Sequence, residues 1–148
     1  MHEKLKPLDK FNFLVGHWRL IYEIPVSKFS EQDNGEGTGE FKKVLNDNYV
    51  KFTYKARLRS SETSAEGIFT WDDKSKLYRY WWFEDSGNFS SATCNFINDE
   101  TLCLNWNDGL MVQSFKKESE NKVTLRMMFP SDGIQYNVVL KVTLIKKG

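Results

Sequence analysis

The sequence is short of cysteine, proline and histidine, and each shortage excludes something. Two cysteines, Cys94 and Cys103, are too few for a disulfide framework, and their spacing matches no zinc motif. They read as free thiols in adjacent strands either side of a turn at Asn98, Asp99 and Glu100, with a hairpin disulfide as the alternative. Three prolines and no low-complexity run leave no linker, so one domain is expected over residues 1–148. A net charge of +1 gives no reason to expect a nucleic acid or an acidic membrane surface as partner. No apolar run could span a bilayer, and MHEKLKPLDKF lacks the apolar core of a signal peptide. A cytoplasmic protein without integral membrane contact is the expectation.

Catalytic signatures are missing too. There is no Gly-x-Ser-x-Gly elbow, no phosphate-binding glycine loop and no Cys-His motif. The carboxylates cluster in turns (Asp72, Asp73, Glu84, Asp85, Asp99, Glu100, Asp132), where bonding to turn backbone accounts for them. An acid pair across a barrel mouth is the enzymatic alternative; no catalytic residue, metal or cofactor is named. Of the two histidines, His2 sits at the terminus, and His17 stands between Gly16 and Trp18. A metal or catalytic histidine needs convergent partners, and none is legible for His17.

What the chain has in quantity is aromatic side chains: five Trp, six Tyr and eleven Phe. Such residues suit pleated, half-buried surfaces, which points to an all-β fold. Period-2 patterning starts at Trp18 and runs to the end. Trp18, Leu20, Tyr22 and Ile24 share one face. Further on, Val50, Phe52, Tyr54, Ala56 and Leu58 alternate with Lys51, Thr53, Lys55 and Arg57. Turn signals follow at short intervals, among them Asn-Asp-Gly at 107–109 and PSDG at 130–133. SKFSEQDNGEGTG, residues 27–39, reads as the one long polar loop, mobile because of its glycines, with a strand from about 37 to 45. About ten strands joined by short turns imply an antiparallel up-and-down sheet, closed into a barrel over 17–146. The one helical candidate, 7–15, begins at Pro7 and stops at Gly16, and its Leu8, Phe11 and Leu14 would close one end.

A short helix running into Gly16-His17-Trp18, ahead of an up-and-down barrel, resembles the calycin superfamily of lipocalins, fatty-acid-binding proteins and nitrobindins. LVGHW, then Gly67, Trp71 and Asp72, then Tyr78, Trp82 and EDSG, is also similar to a bacterial calycin-like branch of unknown function. The resemblance implies that Trp18 lies across the closed end. It further implies a late basic side chain packed over that indole, for which Arg126 and Lys141 are candidates, although both fall in the polar register. Other family residues do not transfer. The last strand, IQYNVVLKVTLIKK, lacks the arginine of a fatty-acid anchor, and no histidine follows His17 to ligate haem iron.

Binding candidates come from the inner register. Tyr78, Tyr80 and Trp82 share a face, and keeping Arg79 in solvent turns them inward. The opposite register would bring Arg79 in as an anion anchor. Val123, Leu125, Met127 and Phe129, then Tyr136, Val138, Leu140, Val142 and Leu144, read as apolar lining. The expected contacts are Tyr22, Tyr78, Tyr80, Trp82, Leu125, Met127, Tyr136 and Leu140, around a small hydrophobic or amphiphilic ligand. Two other readings stand beside this: a barrel filled by its own side chains that acts through its outer surface, and a haem-binding or enzymatic barrel. Oligomeric state is not legible.

Overall fold

The computed structural model describes residues 6–26, 31–58, 61–107, 110–130 and 136–147, with backbone alone for Pro130 and Tyr136. Ten strands follow one another: β1 (Gly16–Ile24), β2 (Asp33–Val44), β3 (Tyr49–Leu58), β4 (Ser61–Asp72), β5 (Leu77–Glu84), β6 (Phe89–Asn98), β7 (Thr101–Trp106), β8 (Val112–Ser119), β9 (Lys122–Pro130) and β10 (Tyr136–Lys146). Each pairs antiparallel with its sequence neighbours, and β1 also pairs with β10, so the sheet closes into a barrel. Closure leaves no edge strand to recruit another chain. The turns expected at 107–109 and 130–133 fall partly outside the described residues.

The alternation seen in the sequence sets the inside and the outside. Val50, Phe52 and Ala56 are buried on β3, while Lys51 and Arg57 reach Glu66 and Glu62 across the outer wall. Tyr78 and Tyr80 are buried on β5. Between them Arg79 points out, its Nε 2.7 Å from Asp72 Oδ2. That guanidinium and the Ser75 amide hold the Asp72 carboxyl down at about 2. Cys94 pairs with Leu104 while Cys103 pairs with Asn95, so the two thiols occupy opposite faces of the sheet. They are free, and the hairpin disulfide is excluded by that register.

Three local expectations need correction. The helix expected over 7–15 is a single 3-10 turn, Pro7–Phe11, followed by turn residues 12–14. It is anchored by side chains: Lys43 Nζ sits 2.8 Å from Asp9 Oδ1, and Phe11 is fully buried. The strand expected from about 37 begins already at Asp33, so residues 33–36, expected in the long loop alone, belong to β2, which pairs with both β1 and β3. Its glycines occur at every second position, and Gly35, Gly37 and Gly39 all belong to the inner register with buried Phe41. Glycine in a strand marks close approach of another group, and here Leu58, Lys55 O and Phe52 occupy the space a Cβ would need. Finally, the register of β10 shifts between Val138 and Leu140. A bulge resets the alternation, so Val138 stands opposite Met128 and does not share Leu140's face.

The end of the barrel beneath the 3-10 turn is packed solid. Phe11 lies 4.9 Å from Phe69 and 5.2 Å from both Tyr78 and Phe96, centroid to centroid. Phe41 stacks on Phe52 at 4.0 Å. Trp18 is fully buried in this layer, and its Nε1 donates to Leu14 O at 2.8 Å, fixing the turn that precedes β1. Gly16 makes the entry possible: its φ is +140°, and a Cβ there would lie 2.9 Å from Lys146 Cε. Lys146 Nζ stands over the Trp18 ring at 5.6 Å. The late basic side chain is therefore Lys146. Lys141 faces Glu23 on the outer wall, and Arg126 pairs in register with Ser114 and Lys141.

Candidate functional site, an apolar cavity in the open half of the barrel

Following the inner register of each strand away from the packed end shows how space is left. On β1 the sequence runs Trp18, Leu20, Tyr22; on β5 it runs Tyr78, Tyr80, Trp82; on β10 it runs Leu144, Val142, Leu140. The first residue of the β1 and β5 runs belongs to the packed end. From Leu20, Tyr80 and Leu144 outward the side chains surround a cavity of about 420 Å³. Phe52 and Tyr54 from β3, Ser90 from β6, Trp106 from β7, Met111 just ahead of β8, Gln113 from β8, and Leu125, Met127 and Phe129 from β9 complete the wall.

Bulky rings line the space without filling it because small residues let them lie along the wall. Tyr80 lies over Gly67, where an added Cβ would collide with its hydroxyl, and stacks on Phe69 at 4.1 Å. Phe52 lies over Gly39, with Tyr54 stacked beside it at 4.9 Å. Gly67→Ala is therefore expected to push Tyr80 into the cavity and cost about 1–3 kcal/mol. Urea unfolding and the near-ultraviolet circular dichroism of the variant test this; an unchanged midpoint and spectrum would show that Tyr80 does not depend on Gly67.

The polar atoms of the wall are mostly paired with one another. Trp82 Nε1 donates to Tyr54 Oη at 2.9 Å, and Trp106 Nε1 donates to Gln113 Oε1 at 3.1 Å. Burial pushes the Tyr22, Tyr54 and Tyr80 hydroxyls above the ordinary tyrosine range. Neighbouring Tyr54 adds to this for Tyr22 and Tyr80, whereas the Trp82 bond opposes it for Tyr54. Tyr78 is raised by burial alone, to about 12. A tyrosine freed by unfolding ionises near pH 10, so above that pH the folded chain holds more protons than the unfolded one. Stability is then expected to be level below about pH 10 and to fall above it. Urea midpoints across that range check the sign, and Tyr22→Phe with Tyr80→Phe is expected to flatten the fall.

Of the residues expected at a ligand, Tyr22, Tyr80, Trp82, Leu125, Met127 and Leu140 all line this cavity. Tyr78 does not: it belongs to the packed end, where its hydroxyl donates to Pro7 O at 2.6 Å. The Tyr136 side chain lies outside the described residues, and its backbone pairs with Pro130. Sequence reading did not single out Phe52, Tyr54, Trp106, Met111 or Gln113. Phe52 and Tyr54 were legible in the alternation of β3. Gln113 is flanked by Val112, but buried Phe115 two positions on shares its face. His17 is on the outside, its side chain 69% exposed and its Nε2 2.9 Å from Glu40 Oε2. Among the described residues no three His, Cys, Asp or Glu side chains are grouped to hold a metal, and no helix is long and apolar enough to cross a membrane.

No protein-family model matches the chain, and no curated protein matches it in sequence. Solved structures share its fold. Rv2717c from M. tuberculosis superposes with a TM-score of 0.67 at 12% identity, covering 98% of this chain and 100% of that one. The S-type phycobiliprotein lyase from Guillardia theta superposes with a TM-score of 0.56 at 8% identity, covering 98% and 94%. At these identities the likeness is one of fold, a closed antiparallel β-barrel, which in this chain has ten strands.

Proposed function

We propose that this chain is a binding protein of calycin type, holding a small hydrophobic or amphiphilic molecule in the open half of its barrel. The observation that carries this is the cavity itself. Its volume of about 420 Å³ lies within the ~300–1,000 Å³ usual for ligand sites, and its wall is apolar and aromatic with a few polar tips. At the ~30 Å³ a water occupies in the liquid, the space suits a ligand of about 14 non-hydrogen atoms. Binding would come from apolar surface removed from water, at roughly 25 cal/mol per Å², less the cost of immobilising the ligand. Tyr22, Tyr80, Trp82, Leu125, Met127 and Leu140 are the proposed contacts. Tyr78 would act at one remove, by securing the packed floor to the 3-10 turn.

The packed end gives the container its rigidity, and the small residues beneath the rings keep the other end open. The charged outer wall and the free thiols support the cytoplasmic placement expected from the sequence. Kinship with the calycins rests on the barrel and on the Trp18–Lys146 arrangement at its closed end.

A second reading, action through the outer surface, has one observation in its favour. Phe83 and Phe89 face each other across β5 and β6 while 51% and 74% exposed. Native mass spectrometry of protein purified from its own host tests the binding reading. A non-covalent small molecule that leaves on denaturation is expected. A bare chain that also fails to take up a neutral fluorescent probe would favour the outer-surface reading.

A further inference from the structure

The cavity wall has a chemical bias that narrows the ligand class. None of the described residues lining it carries a charge. The carboxylate nearest in sense is Glu84, in the inner register of β5 next beyond Trp82 and close enough to Tyr54 to raise its hydroxyl. Among the described residues, an anion entering here would meet no cation on the wall and one acid nearby, and burying an unpaired charge is strongly unfavourable.

The uncharged polar groups are biased in turn. An indole N–H can only donate. Trp82 and Trp106 therefore occupy an acceptor on Tyr54 and the amide oxygen of Gln113. The Tyr54 hydroxyl proton and the Gln113 amide hydrogens remain to be donated, while Ser90, which also lines the cavity, has a partner of its own. Tyr22 and Tyr80 donate to no described residue. Both residues line the cavity, and no fully enclosed polar side-chain atom among the described residues is left unpaired. With their raised pKa values all three tyrosines keep their protons at ordinary pH. The three hydroxyls and the Gln113 amide thus offer hydrogens to a ligand acceptor, set among rings that favour stacking on a flat partner.

We infer that the cavity selects uncharged, flat, conjugated molecules bearing a hydrogen-bond acceptor, such as a carbonyl or ring nitrogen, and rejects carboxylates of the same skeleton. This rests on the binding reading above and makes it more specific. Naphthoic acid and its methyl ester differ in little but charge at about pH 8, where the acid is ionised. Ethylnaphthalene of similar size lacks the acceptor. Fluorescence titration of the full chain is expected to give ester binding at least about tenfold tighter than acid binding. The double variant Tyr22→Phe, Tyr80→Phe is expected to weaken the ester about threefold or more while leaving ethylnaphthalene unchanged. Acid binding within about threefold of the ester, or equal losses for ester and hydrocarbon in the variant, would overturn the selectivity but leave a binding cavity. Failure of all three compounds to bind would remove the binding reading and the selectivity together.

Discussion

Trp18→Ala is expected to lower the unfolding free energy by about 3–5 kcal/mol, among the largest single-residue losses available in this barrel. The indole is fully buried in the packed end, so its removal leaves a cavity where none exists. It also orphans Leu14 O, which accepts the indole N–H at 2.8 Å in the turn feeding β1. Lys146, 5.6 Å above the ring, loses a contact of roughly 0.5–1 kcal/mol. For a chain of this size the melting temperature should fall by roughly 10 °C or more. Trp18→Phe separates the terms, since it keeps much of the ring area but leaves the carbonyl unbonded, and about 1–2 kcal/mol is expected. A loss under about 1 kcal/mol for Trp18→Ala would show that the floor of the barrel is held by something other than this layer.

The second large effect concerns the open half. Met127 lines the cavity from β9 without being part of the buried core, so a larger side chain there can extend into empty space. Met127→Trp is expected to weaken a neutral aromatic probe by about a hundredfold while leaving the urea midpoint close to that of the parent. The asymmetry is the point: in the packed end the same enlargement would force neighbours out of place, but here it fills a void. If probe affinity survived with the fold intact, the probe would be binding elsewhere. The exposed Phe83–Phe89 pair would be the first surface to examine.

Much of the fold is legible because alternation is a strong signal when one face of every strand is buried. Val50 to Leu58 gave β3 its inside and outside residue by residue, and Arg79 oriented β5 correctly. The failures share a physical cause. A single-sequence reading treats glycine as a breaker, yet Gly35, Gly37 and Gly39 obey the strand period and are required by neighbours that press on them. The bulge before Leu140 is invisible because Tyr136, Val138 and Leu140 look like an unbroken alternation, whereas the pairing places Val138 opposite Met128. Lys146, the cation over Trp18, shares the inner register with Val142 and Leu144, unlike Lys141 and Arg126, but as the last residue of β10 it reads as part of a basic tail.

The cavity was the least legible feature. Whether a barrel is open depends on how its rings lie, and Tyr80 lies flat only because Gly67 sits beneath it, on a neighbouring strand thirteen positions away. Six of the eight expected contact residues nevertheless line the space, since inner register and mouth-side position were enough to select them. Tyr78 failed on position alone, being on the correct face but at the wrong end.

The four methionines offer the most direct test of the central claim, that a ligand sits among the inner side chains of the open half. Met111 and Met127 line the cavity, whereas Met128, the next residue on β9, is in the opposite register, paired with Val112 and Val138. Methyl-resolved NMR of methionine-labelled protein, titrated with methyl naphthoate, reads all of them at once. The expected result is saturable shifts at Met111 and Met127 with Met128 left nearly in place. Shifts at Met128 alone, or none at any methionine under saturating probe, would contradict the account.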